Sequence, residues 1–331
     1  MIKIGYSHPR KLHEIWTVHD EVKKLVSAAA TTKTIKMGKH MVNLNPSSTS
    51  FIEYLNDNGQ AVLNDILTKT SDILCGKYIR DIETLFPDFV TDKAKVGKRN
   101  QTFSQVRDVA YTIFVTNGYE KLKHKAEFYA ALDVKVCPYC NRCLIEPIDD
   151  GAGKRTVVGE LDHFYCKSKY PYLAVSLYNL VPSCGICNGK SRKGEKDLCG
   201  TMFRNPYLLP DNNGMTFGFK PTGVSAINYE DSYKRYHIRY IFSPDATLKY
   251  NFDILKLRKI YSGQYYREKV CKIECVVRDF CNQTYVDSQV AKFADMGINL
   301  SFSSLIRERL EVSNNPNEYN HHINNKFVMD V

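Results

Sequence analysis

Four cysteines carry the strongest chemical signal in this sequence. They form two pairs, Cys137-Pro-Tyr-Cys140 and Cys184-Gly-Ile-Cys187. Two thiolates three positions apart on a tight turn can face one metal, and two such turns complete the tetrahedral sulfur shell that structural zinc prefers. A closed four-sulfur shell leaves no open coordination position, so this metal would hold the fold rather than perform chemistry. The gap between the pairs is wider than in a simple zinc ribbon, so an inserted element must lie between them. Cys143 extends the first knuckle to CxxCxxC and is an alternative ligand, or else a bystander. Cys75, Cys166, Cys199, Cys271, Cys275 and Cys281 have no such spacing and read as small buried residues. The total of eleven is odd, which argues against a complete disulfide framework.

The insert itself contains Gly159-Glu-Leu-Asp-His-Phe-Tyr-Cys-Lys-Ser-Lys-Tyr-Pro, then Leu177-Tyr-Asn-Leu-Val-Pro-Ser-Cys-Gly-Ile-Cys-Asn-Gly-Lys. An Asp-His pair, a downstream Asn-Leu and a CxxCN segment followed by lysine occur in this order. The arrangement resembles the HNH, or ββα-metal, nucleases, and the likeness runs from Cys137 to Lys193. It implies a metal-dependent hydrolase of phosphodiester bonds, with DNA as the expected substrate. Such a reaction needs an activated water and relief of the charge that builds on the phosphate and the leaving oxygen. His163 is the candidate general base, because a near-neutral imidazole can take a proton from water. Asp162 offers a hard carboxylate oxygen suited to magnesium or manganese, and Asn188 offers a second oxygen. The family often has histidine at the position of Asn188; asparagine tilts the metal away from zinc or nickel. By resemblance, Asn179 ties the active-site loop together and helps to orient His163. Lys167, Lys169, Lys190, Arg192 and Lys193 surround the motif and are the candidate phosphate-binding cations. Tyr165, Tyr170 and Tyr172 could pack against sugars, although core packing is the better reading for at least two of them. The chain departs from the family at Cys166, where proline is common, and at Cys143.

The wider pattern is similar to HNH proteins of bacterial defence systems, and more loosely to the nuclease subunit of Septu-like anti-phage systems. That likeness implies an ATPase partner docked by the flanking regions. Two other readings stay open: an RNA-cleaving toxin on the same scaffold, and a non-catalytic zinc module that binds nucleic acid or protein. Net charge is +10, from 46 Lys plus Arg against 36 Asp plus Glu, which suits a polyanionic partner without requiring one. No apolar run reaches the ~18 residues of a membrane span. The opening residues lack an apolar signal region, so a cytoplasmic protein is expected.

The elements that must position these groups are read from periodicity. Residues 1–132 predict a helical region, a scaffold or partner-docking module. Its helices are expected near Ile15 to Leu25, after the capping stretch Ser47-Ser-Thr-Ser with a break at Gly59, from Phe103 to Val115, and from Tyr119 to Leu132. Residues 133–200 are, by the resemblance, the expected nuclease core. It has a hairpin whose arms are Cys143–Pro147 and Thr156–Leu161, and a helix from Gly185 to Lys196. Residues 201–331 read as mixed α/β, with strands at Met215–Lys220 and Tyr236–Phe242, a basic helical stretch from Asn251 to Cys281, and a polar, asparagine-rich tail. The fold class expected is α+β, a treble-clef-like ββα zinc core flanked by mainly helical regions.

Overall fold

Apolar spacing sets the first helix. Ile15, Val18, Val22, Val26 and Ala29 recur at steps of three and four and are all buried along α1, His13–Thr32. Val26, rather than the half-buried Leu25, continues the stripe. This chain is represented by a computed structural model that describes residues 4, 13–89, 105–122, 125–149, 151, 155–209, 215–221, 236–242, 247–280 and 282–295. The polar tail lies outside them. The chain divides into two units: residues 6–132 with 146–201, and residues 1–5 with 133–145 and 202–331.

In the first unit a short hairpin, β1 (Thr34–Met37) with β2 (His40–Asn43), follows α1. Next comes α2, Pro46–Thr68. Its cap is Asn45, whose side chain accepts from the Ser48 amide at 2.8 Å, rather than one of the serines behind it. Pro46 fits the first helical position because its missing N–H is not needed there. The expected break occurs: Asp57 to Gln60 leave helical geometry, with Asn58, Gly59 and Gln60 at positive φ. Phe51, Ile52, Leu55, Leu63, Ile66 and Leu67 are buried on the two halves. A run of α3 (Ser71–Ile73), a π-helical stretch (Leu74–Ile79) and α4 (Arg80–Leu85) follows. α5 (Gln105–Ala110) then continues as a π-helix through Tyr111–Thr116. The single helix expected over 119–132 is instead a 3-10 turn, Tyr119–Lys121, and α6, Lys125–Leu132.

The hairpin of the central region is shifted from its expected arms. β3 (Pro147–Asp149) pairs with β4 (Arg155–Val157), with Ile148 opposite Thr156. Glu160–His163 is a separate strand, β5, which pairs antiparallel with β6, Leu180–Ser183; Asp162 faces Val181 and His163 faces Leu180. The helix expected to reach Lys196 stops after one turn: α7 is Gly185–Asn188. Gly189 is extended, and Gly194 takes a positive φ that an L side chain resists, so the basic stretch 190–196 runs as turns. Cys75 and Cys199, 124 positions apart and without sequence-level pairing logic, form a disulfide in this unit.

In the second unit β7 (Met215–Pro221) pairs antiparallel with β8 (Tyr236–Phe242). Among the described residues four helices follow: α8 (Thr247–Ile254), α9 (Leu257–Tyr261), α10 (Gln264–Phe280) and α11 (Gln283–Asp295). Its core is aromatic, with Phe217 against Tyr261 at 4.6 Å and Tyr261 against Tyr266 at 4.6 Å between ring centres. Buried Asn251 clips residue 204 at both ends, accepting from the Arg204 amide and donating to its carbonyl. The whole is α+β, with small antiparallel sheets among helices.

Candidate active site

Strand geometry places the acids first. Glu160 and Asp162 sit two positions apart on β5 and so project to the same side. His163 ends the strand. β6 leads directly into α7, whose last residue is Asn188. The Asn188 amide donates from Nδ2 to Glu160 Oε2 at 2.7 Å, which leaves its carbonyl oxygen as the group able to meet a cation. Glu160 had no role in the sequence reading; its place two residues before Asp162 on a strand was the available signal. Glu160, Asp162, His163 and Asn188 line one cavity of about 440 Å³.

His163 is 8% exposed, and its Nε2 lies 3.0 Å from the Ala174 carbonyl oxygen. A carbonyl can only accept, so the ring proton is on Nε2 and the lone pair is on Nδ1. Burial, reinforced by the charges of Lys167, Lys193 and Lys125, pushes His163 down to about 3. The imidazole is therefore neutral through the physiological range. One edge packs against the Tyr119 ring, 4.4 Å between centres.

Asp162 is 2% exposed and Lys193 0%. The Lys193 ammonium donates to Asp162 Oδ1 at 2.8 Å and to the His163 carbonyl at 2.7 Å. Lys193, expected among the phosphate-binding cations, is instead a buried strut that holds the two adjacent residues of the Asp-His pair. It is reached because the turn after Gly189 folds its side chain inward; the Lys193 amide bonds the Cys187 carbonyl.

The other basic candidates separate in the same way. Lys190 and Lys167 line the cavity. Lys169 is engaged by Asp197 at 2.5 Å and Glu83 at 3.7 Å, and it does not line the cavity. Arg192 is half-buried and does not line it either. Tyr165, Tyr170 and Tyr172 are all buried, and Tyr170 donates to Asp197.

Asn179 is fully buried and closes the loop between the strands. Its Oδ1 accepts from the Tyr165 amide at 2.7 Å, and its Nδ2 donates to the Leu173 and Tyr165 carbonyls at 2.9 and 3.1 Å. The same loop is fastened to the helices of its unit. His19 donates to the Val175 carbonyl, Ser176 to the Ile66 carbonyl, Tyr165 to the Ser71 carbonyl and Arg107 to the Ser168 carbonyl. Residues with no catalytic motif thus fix the loop whose Ala174 carbonyl holds His163.

The candidate metal centre is separate. The sulfurs of Cys137, Cys140, Cys184 and Cys187 all lie within 4.8 Å of one another, and all four residues are buried. Four converging thiols suit a structural zinc ion. Cys143 does not belong to this cluster; its carbonyl instead accepts from the Cys137 amide. No helix among the described residues is long and apolar enough to cross a membrane.

No family model matches the chain, and no solved structure matches it. A stretch of 61 residues is 41% identical to the Septu protein PtuB of Bacillus thuringiensis, covering 18% of this chain. The match spans 23% of that relative's own length, so the likeness is local.

Proposed function

We propose that this chain is an HNH-type endonuclease that hydrolyses DNA phosphodiester bonds with magnesium or manganese. The observation that carries the reading is the convergence of Asp162, His163 and Asn188 on one cavity, from the strand–strand–helix order Glu160–His163, Leu180–Ser183, Gly185–Asn188. Asp162, Asn188 and Glu160 offer hard oxygen donors, the class that magnesium takes. A bound divalent ion would supply Lewis acidity toward the phosphate and the leaving oxygen. His163 would accept the proton of the attacking water at Nδ1, because its Nε2 proton is committed to Ala174. Asn179 keeps that carbonyl in place through the loop, and Lys193 keeps Asp162 from rotating away.

The four-thiol cluster is read as zinc that stabilises the fold. The likeness to a Septu protein supports a role as an effector in bacterial anti-phage defence, acting with an ATPase partner. The test is nicking of supercoiled plasmid with magnesium or manganese, with and without a candidate ATPase, comparing wild type, His163→Ala and an EDTA control. Cleavage that needs both the metal and His163 supports the reading. No cleavage of DNA, with cleavage of RNA under the same conditions, moves the substrate to RNA. No cleavage of either by folded protein leaves a zinc-stabilised binding module.

A further inference from the structure

Tyr119 lies more than forty positions before the Asp-His pair, in a stretch without any motif, yet its ring is a wall of the cavity. Its placement is built in. Gly118 precedes it, and a Cβ at that position would come within 2.3 Å of the Phe114 carbonyl oxygen, so only glycine permits the tight passage into the turn. The ring meets His163 on one edge. Two ammonium groups also rest on it: Lys125 Nζ at 4.7 Å and Lys167 Nζ at 4.5 Å from the ring centre. Lys125 opens α6, and Lys167 follows β5, so two remote segments deliver their charges to the same ring.

The cavity lining carries both signs of charge: Glu160 and Asp162 on β5, Lys125 and Lys167 against the aromatic wall, and Lys190 and Glu195 besides. A phosphodiester with a divalent ion uses both: oxygens for the ion and cations for the phosphate. Two like charges on one ring repel each other, and the ring quadrupole offsets only part of that cost. A phosphate bound between them would remove the repulsion and accept a hydrogen bond from each. Glu120 and Glu195 lend negative field to Lys167, while burial and Lys125 work against its charge and lower its pKa.

We propose that Lys125 and Lys167, aligned on Tyr119, form a clamp for a backbone phosphate of the nucleic acid next to the one that is cut. The proposal rests on the nuclease reading above; it pairs Lys167, already a candidate from the motif, with Lys125 and Tyr119 from outside it. It gives the helical region a direct hold on substrate as well as a scaffolding role.

The experiment uses the full chain carrying His163→Ala, so that substrate is bound and not turned over. Affinity for labelled DNA and RNA oligonucleotides of one sequence is measured across a salt series, with magnesium present. Lys125→Gln and Lys167→Gln are each expected to weaken binding and to reduce the slope of log affinity against log salt by about one, and the pair by about two. Lys125→Arg and Lys167→Arg should keep the slope. Both lysines are only partly buried, so urea midpoints should stay near that of the parent and exclude a folding defect. An unchanged slope and affinity in the double variant, with a parent that binds, overturns the clamp alone. A folded parent that binds neither oligonucleotide overturns the nuclease reading, and the clamp with it.

Discussion

His19 offers a test of how the helical region supports the site. It is 1% exposed on α1 and donates from Nε2 to the Val175 carbonyl at 2.7 Å, one residue beyond the carbonyl that holds His163. Burial drives its pKa down from 6.5 to about 4, against a partial upward pull from the Val175 bond. The unfolded chain takes a proton on this residue below pH 6.5, whereas the folded chain refuses it until about 4. Acidification across that window therefore favours unfolding, by about 1.4 kcal/mol per pH unit, or about 2 kcal/mol by pH 5. Against a total stability of about 5–15 kcal/mol this is readily measured. In His19→Gln a terminal amide can still donate to Val175, but nothing titrates. Urea unfolding of both proteins near neutrality and near pH 5 should show wild type losing about 2 kcal/mol more than the variant. Equal acid sensitivity in the two would mean that His19 is not held neutral by burial, and the reasoning would fail.

Three further outcomes are expected. Lys193→Met removes the ammonium partner of the buried Asp162 carboxylate, which should cost about 3–5 kcal/mol in urea unfolding. Adding Asp162→Asn to it should recover part of the loss, since the buried negative charge is then gone too. Asn179→Ala breaks three buried hydrogen bonds and should destabilise the unit by about 2 kcal/mol or more, measured by thermal or urea melts. Finally, the Cys75–Cys199 crosslink closes a loop of 124 positions, worth about 5 kcal/mol in the chain-entropy account. Dithiothreitol should lower the urea midpoint of wild type and leave that of Cys75→Ser unchanged.

The parts of this molecule legible from sequence are those where one short segment carries the whole signal. Paired CxxC knuckles announce a four-thiol cluster able to hold a metal because three-residue spacing is itself the geometry. Gly59 announces a break in α2 because helix interiors disfavour glycine. The rest depends on distant segments meeting. Lys193 looks like any member of a basic run, and only the turns forced by Gly189 and Gly194 send its ammonium inward to Asp162. Glu160 gains meaning only beside Asn188, on an element that follows it by more than twenty positions. Tyr119 and Lys125 reach the cavity through tertiary packing, for which sequence spacing offers no template. The stretch from Gly185 to Lys196 is not helical past Asn188, because the extended Gly189 and the positive φ of Gly194 turn the chain.

Four hydrogen bonds that moor the loop at 164–179 to its helices end on main-chain oxygens, at Ile66, Ser71, Ser168 and Val175. A carbonyl is present whatever side chain its residue carries. Those four positions can therefore drift through evolution without unmooring the loop, provided the backbone path is kept. The donors Tyr165, Ser176, Arg107 and His19 have no such latitude. Relatives that share this site can thus be expected to differ in side chain at these acceptor positions, while their helices still grip the loop in the same places.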